Sequence, residues 1–210
     1  MKSYKEYNRL EAGIDEAGRG PLFGRVYAAA VILNPEFEYD FNLIKDSKKL
    51  SSKKILESEK YVKDNAIDWC VAFQTEKRID QINILHATQE AMHEAIAGLS
   101  VKPEYLLVDG NYFKKYIRIT LPDYTQHSIP HECVVKGDST YASIAAASIL
   151  AKTARDRYIT NLCEQNPFLQ TNYGILNNKG YGAKIHIQGI KDNGISQWHR
   201  KSFGICKEYS

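Results

Sequence analysis

Three aspartates and a glutamate stand where this chain would expose them for metal chemistry. Residues Gly13 to Gly24 read Gly-Ile-Asp-Glu-Ala-Gly-Arg-Gly-Pro-Leu-Phe-Gly, so the adjacent carboxylates Asp15 and Glu16 come directly before a glycine-arginine-glycine turn. Carboxylate oxygens suit hard divalent ions such as Mg²⁺ or Mn²⁺. Gly18, Gly20 and Gly24 free the backbone for close approach and for amide N–H groups that bind phosphate or hydroxyl oxygens. A lone Asp-Glu pair more often marks a surface hairpin, so the reading depends on what joins it. Asp109 follows the apolar run Tyr105-Leu106-Leu107-Val108 and precedes Gly110. Asp138 opens a long helical pattern, where Asp and Ser also serve as helix caps. All four carboxylates fall at a strand edge or helix start, where an α/β sheet gathers functional groups. Drawn together they would repel by several kcal/mol, so such a cluster calls for cations. Two divalent ions roughly 4 Å apart would satisfy it and could hydrolyse a phosphodiester.

The elements that must position them follow from periodicity. Leu10, Ala12 and Ile14 alternate as a strand, and the apolar run Val26–Leu33 reads as a buried strand returning antiparallel to it. Ser51 or Ser52 caps a helix carrying Ile55, Glu59 and Val62 on one side, and Ile67, Trp69, Val71 and Phe73 alternate in the next strand. Leu85, Thr88, Met92, Ala95, Ile96 and Leu99 follow helical spacing, with His86 and His93 as surface or half-buried histidines. Tyr105–Val108, Ile117–Leu121 and Cys133–Lys136 are short strands, the last two joined by a loop containing proline and histidine. Gly137–Ile159 is one helix whose alanines pack closely on a sheet, and its Lys152, Arg155 and Arg157 suit a C-terminal half. The run Asn177–Gly182 is a loop with Tyr181 at its tip, either stacking on a sugar or base or folded back on the core. Ile185, Ile187 and Ile190 anchor a short helix ending at Gly194, before a basic, aromatic tail from Trp198 to Gly204.

Composition bounds the function. The chain has 210 residues, of which 43% are hydrophobic, enough for one domain with a substantial core. No apolar run is long enough to span a membrane and no signal region leads the chain, so a cytoplasmic protein is expected. Cys70, Cys133, Cys163 and Cys206 lack disulfide or metal-finger spacing and read as incidental thiols. A net charge of +3 does not by itself announce nucleic-acid binding. Lys48-Lys49, Lys53-Lys54 and Arg200-Lys201 form either a phosphate track or ordinary solvated faces.

Taken in order, these segments resemble bacterial ribonuclease HII along most of the chain. The resemblance is carried by Gly13–Leu22, Asp46–Ser51, Asn83–Leu85 with the helix after it, Val108–Gly110 and Lys136–Ser139. It continues through Ser143–Lys152, Arg155-Asp156, Lys179–Gly182 and His199–Gly204. It implies an α/β ribonuclease H-like fold with a mixed central sheet flanked by helices. A single domain would cover residues 1–210, with about 165–210 as a helical part that helps hold the duplex. By resemblance Asp15, Glu16, Asp109 and Asp138 bind the catalytic Mn²⁺ or Mg²⁺ ions. Gly18, Arg19 and Gly20 would read the ribose 2′-hydroxyl through their backbone while Tyr181 stacks, and Lys48 and Lys49 would touch phosphates. Phe23 and Arg25 replace a small residue and a proline of the family pattern, and Ile205-Cys206 stands in place of Pro-Val. The related ribonuclease HIII adds an N-terminal domain and usually a glutamate as fourth ligand, so Asp138 fits type HII.

The implied activity is a metal-dependent endonuclease acting on RNA/DNA hybrids and on the 5′ side of ribonucleotides embedded in duplex DNA, leaving 3′-hydroxyl and 5′-phosphate ends. A monomer is expected, and a replication clamp docking on the tail is left open. The rival readings are another nuclease of the same fold, such as a resolvase, and a noncatalytic hybrid-binding module. Clustered negative charge argues against the latter, because it hinders phosphate binding.

Overall fold

The computed structural model describes all residues except 7, 45–51, 121, 123 and 124. The Asp46–Ser51 segment, with Lys48, Lys49 and the candidate cap Ser51, therefore lies outside the described residues, as does Leu121. Strands β1 (Glu11–Ala17) and β2 (Val26–Leu33) are followed by helices α1 (Phe41–Ile44) and α2 (Ser52–Asn65), strand β3 (Ala66–Gln74) and helix α3 (Glu76–Ala97). Next come β4 (Tyr105–Asp109), β5 (Ile117–Thr120), β6 (Thr125–Ser128), β7 (His131–Val134) and a 3₁₀ turn at Gly137–Ser139. Helices α4 (Ala142–Gln165), α5 (Phe168–Tyr173), α6 (Ile175–Asn178) and α7 (Lys184–Asn193) lead to a 3₁₀ stretch at Gly204–Tyr209.

Five strands form a mixed sheet in the order β3-β2-β1-β4-β7. The expected hairpin is there: β1 and β2 pair antiparallel, with Asp15 opposite Ala29. On its other edge β1 pairs in parallel with β4, and β4 with β7. Every residue of β2 is buried, because both faces of the sheet are covered. Ala29 and Val31 face α4, while Ala28, Ala30 and Ile32 face α3. A Cβ at Gly13 would lie 2.1 Å from the Ser143 carbonyl carbon, so the start of α4 rests directly on the β1 backbone. Ala145, Ala146 and Ala147 continue that close packing.

Ile55, Glu59 and Val62 are all buried on α2, as their spacing predicts. In β3, Ile67, Trp69 and Phe73 do alternate yet stay partly exposed, because β3 is a sheet edge. Helix α3 starts before the predicted one and is broken at Asn83, whose φ is 65° and whose Oδ1 accepts the Leu85 and His86 amides at 2.9 and 3.2 Å. Asn83 thus caps the second half, and Leu85 points outward although Thr88, Met92, Ala95, Ile96 and Leu99 are buried. His86 is exposed, and half-buried His93 meets the Lys114 carbonyl at 2.7 Å. The loop expected between β5 and β7 contains β6, which pairs with β5 as a separate ribbon. All four cysteines are free. Among the described residues no helix is long and apolar enough to cross a membrane.

The long helix differs most. Gly137–Ser139 is a separate 3₁₀ turn entered through left-handed Lys136 at φ 56°, and Tyr141 takes the N-cap position of α4. Asp138 is therefore not the cap of that helix. Because α4 continues to Gln165, Arg155 lies in its interior rather than near its end, and its last turn carries no basic residue.

Candidate active site

The sheet brings two aspartates to one corner. Ile14 and Val108 are the last registered pair of β1 and β4, so Asp15 and Asp109, each one residue beyond it, lie side by side on the same face. That face is the one α4 covers, since Ala29, across from Asp15, packs against it. Asp15 is only 5% exposed, and its Oδ1 accepts the Glu16 amide at 2.7 Å. Burial, then the charges of Glu16 and Asp109, hold the Asp15 carboxyl well above the usual carboxylate range, partly offset by a hydrogen bond with Ser148. Glu16 is raised as well by burial; the Arg19 guanidinium, 3.3 Å away, opposes this and Asp109 adds to it.

Asp109 is fixed by the turn that precedes α4. Its Oδ1 accepts the Gly137 N–H at 2.7 Å. A Cβ at Gly137 would lie 2.5 Å from Ile144 Cδ1 and 3.2 Å from that same carboxylate oxygen, so any larger residue would require the Ile144 side chain to shift. Asp138 is the next residue, half-buried, with Ser139 Oγ 3.4 Å from its Oδ1. The structure thus brings Asp15, Glu16 and Asp109 into mutual electrostatic contact and joins Asp138 to them through the backbone. Among the described residues, no three His, Cys, Asp or Glu side chains are drawn in to metal-holding spacing. Like charges resist that closer approach. An all-oxygen donor set, in which burial and then neighbouring carboxylates raise Asp15 and Glu16, fits a hard divalent cation.

Beside the carboxylates runs a cleft of about 230 Å³ lined by Glu16, Gly18, Ser148, Lys152, Arg155 and Tyr181. Gly18 has φ +94°, and a Cβ there would meet Arg155 Nε at 2.2 Å. Arg155, 3% exposed, donates to the carbonyls of Phe23 and Arg25 at 3.3 Å and of Lys179 at 2.9 Å. It ties the glycine turn to the loop bearing Tyr181. That tyrosine is 52% exposed, so the structure decides against its folding onto the core, and its ring lies 3.5 Å from where a side chain at Gly20 would begin. The helix α6 takes Asn177 and Asn178 out of the predicted loop, which shortens to a turn through left-handed Lys179 and Gly180.

Two functional candidates escaped the sequence reading. Arg200, read as part of either a phosphate track or a solvated face, is fully buried and donates to the carbonyls of Gly18 at 2.6 Å, Arg19 at 2.9 Å, Pro21 at 2.8 Å and Gly24 at 2.9 Å. Burial, then the nearby Arg155, pulls its pKa down to about 9. Its neighbour His199 is also buried and meets His186 at 3.0 Å. Two signals were available: a cation set among aromatics, between Trp198 and Phe203, and the place of both residues in the His199–Gly204 segment of the family pattern. The two departures from the family pattern in the turn have partners too. Phe23 packs edge-on to His199 at 5.1 Å, and Arg25 lies between the rings of Phe73 at 4.1 Å and Tyr158 at 4.6 Å.

A family model described as Ribonuclease HII matches residues 12–206. The chain is 48% identical over 205 residues to the Ribonuclease HII of Parabacteroides distasonis, covering 98% of this chain and 95% of that protein. It is 46% identical to the Ribonuclease HII of Bacteroides thetaiotaomicron, covering 96% and 93%. Among solved structures, the ribonuclease H2 from Pyrococcus horikoshii OT3 superposes with a TM-score of 0.72, covering 95% of this chain and 96% of that one at 24% identity, a likeness of fold.

Proposed function

The chain belongs to the ribonuclease HII family, endoribonucleases acting on RNA/DNA hybrids, and on that premise we propose that Asp15, Glu16, Asp109 and Asp138 are its catalytic carboxylates. The supporting observation is the sheet corner where Glu16 and Asp109 raise the buried Asp15, where Asp109 also raises Glu16, and where Asp109 is bonded to the residue before Asp138. When bound there, two Mg²⁺ or Mn²⁺ ions supply an activated water and positive charge for the leaving oxygen.

The chain's own groups set where the cut falls. The amides of Gly18, Arg19 and Gly20 bind the 2′-hydroxyl, which only a ribonucleotide carries, so the sugar is sensed without reading the base. Tyr181 stacks on the neighbouring nucleotide from across the cleft. Lys48 and Lys49 contact backbone phosphates, and residues 165–210 help hold the duplex. The phosphodiester on the 5′ side of a ribonucleotide is hydrolysed, in a hybrid or embedded in DNA, with 3′-hydroxyl and 5′-phosphate ends. The enzyme acts as a monomer in the cytoplasm.

The test is a duplex containing one ribonucleotide, incubated with Mg²⁺ or Mn²⁺ and separately with a chelator. Cutting 5′ to the ribonucleotide only in the presence of the ion is expected. Equal cutting in the chelator would end the metal account, and cutting of a four-way junction in preference to the hybrid would favour the resolvase reading.

A further inference from the structure

Arg200 touches the glycine turn only through its carbonyl oxygens. Across a planar trans peptide, the C=O of one residue and the N–H of the next point in opposite directions. With the Gly18 and Arg19 oxygens drawn to the guanidinium, the N–H groups of Arg19 and Gly20 are turned away from it. The next carbonyl drawn in shows the same geometry: Pro21 gives its oxygen to Arg200 at 2.8 Å, and the Leu22 N–H on the opposite side donates to Gly180 at 2.8 Å. The Arg200 backbone N–H in turn donates to the Leu22 carbonyl at 2.8 Å, so the side chain is anchored in the turn that it orients.

His199 reaches the other half of the cleft. The Ser196 N–H donates to its Nδ1 at 2.9 Å, which leaves the ring proton on Nε2. With both rings neutral, Nε2–H donates to His186 Nε2 at 3.0 Å, and His186 Nδ1–H donates to the Tyr181 carbonyl at 2.8 Å. Both rings are buried, at 2% exposure for His199 and 0% for His186, so water does not compete for these bonds.

We propose that the His199-Arg200 dipeptide is the positioning element of the ribose reader, with Arg200 aiming the amides of Arg19 and Gly20 and His199 holding Tyr181 through His186. It rests on the reading that this turn and Tyr181 recognise the ribonucleotide. Neither residue touches substrate. Arginine is required because its fork serves four carbonyls at once, whereas a lysine ammonium keeps the charge but not that geometry. At position 199, glutamine places an amide N–H near the imidazole Nε2 and can keep the link to His186. Asparagine mimics only Nδ1 and breaks it.

The readout is the ratio between the inhibition constant of an all-DNA duplex and the KM for the same duplex carrying one ribonucleotide, measured in Mg²⁺. A loss of folded enzyme lowers the rate but leaves this ratio unchanged. Arg200→Lys is expected to reduce the ratio about tenfold, roughly one hydrogen bond's worth of discrimination. His199→Asn should reduce it less, and His199→Gln should restore it. A folded Arg200→Lys with the wild-type ratio would overturn the inference. Should that variant fail to fold, equal ratios for His199→Asn and His199→Gln would overturn it instead. A wild-type ratio of one would remove the ribose reader itself, and this inference with it.

Discussion

Asp109 holds two positions at once. Its Oδ1 fixes the Gly137 amide, and its charge raises Asp15 and Glu16 from the adjoining strand. Asparagine keeps an Oδ1 acceptor in the same place and removes only the charge. Asp109→Asn is therefore expected to fold and bind duplex as wild type while cleavage drops by about 100-fold or more, since even outer-shell changes at metal sites reach that size. Wild-type cleavage by Asp109→Asn would remove it from the site. The buried histidines carry a separate pH signature. His199 is held at about 3, against an ordinary 6.5, by burial and then by His186, and burial lowers His186 as well. Folded values below the unfolded one give stability that is present above pH 6.5 and lost as pH falls from there toward 3, because the unfolded chain then binds more protons. Melting temperature should fall more steeply between about pH 7 and 5 in wild type than in His199→Gln, which has one fewer imidazole to titrate.

At the scale of elements, legibility followed the range of the causes. The β1 and β2 hairpin, the buried side of α2 and the stop of α7 at Gly194 rest on alternation, helical spacing and a glycine, all local signals. The turn at Gly137–Ser139 was hidden because its organising bond is to Asp109, 28 residues earlier. The break in α3 lies between the two. Asn83 belonged to a recognised motif, but its left-handed backbone and its side-chain cap on Leu85 and His86 were not inferred from it. Asn83→Ala removes that acceptor and forces alanine into a conformation it avoids, so a loss of about 1–3 kcal/mol in urea unfolding is expected. A change below a few tenths of a kcal/mol would mean that the break is held by its surroundings rather than by Asn83.

On the scale of the whole molecule, the candidate site joins the carboxylate corner of the sheet to a C-terminal assembly, and the joining residues come from opposite ends of the chain. The four candidate carboxylates stand out in the sequence because each sits beside its own strand or helix signal. Arg200 could not, since its partners lie 176 to 182 residues earlier and an arginine beside a lysine reads as a surface pair. Phe23 shows how the two parts depend on each other. It leaves the glycine turn to become the fully buried centre of a cluster with Ile159, Leu169, Tyr173 and Ile190, edge-on to His199. Phe23→Ala should lower stability by about 3–5 kcal/mol, because a ring is lost from a site walled by four helices and the tail. The released space lies between the turn and helices α5 and α7, so limited proteolysis should then cut first within residues 166–210, leaving the sheet and α4 as a protected fragment. Cleavage first within β1–β4 would show that the turn, rather than the C-terminal assembly, depends on Phe23.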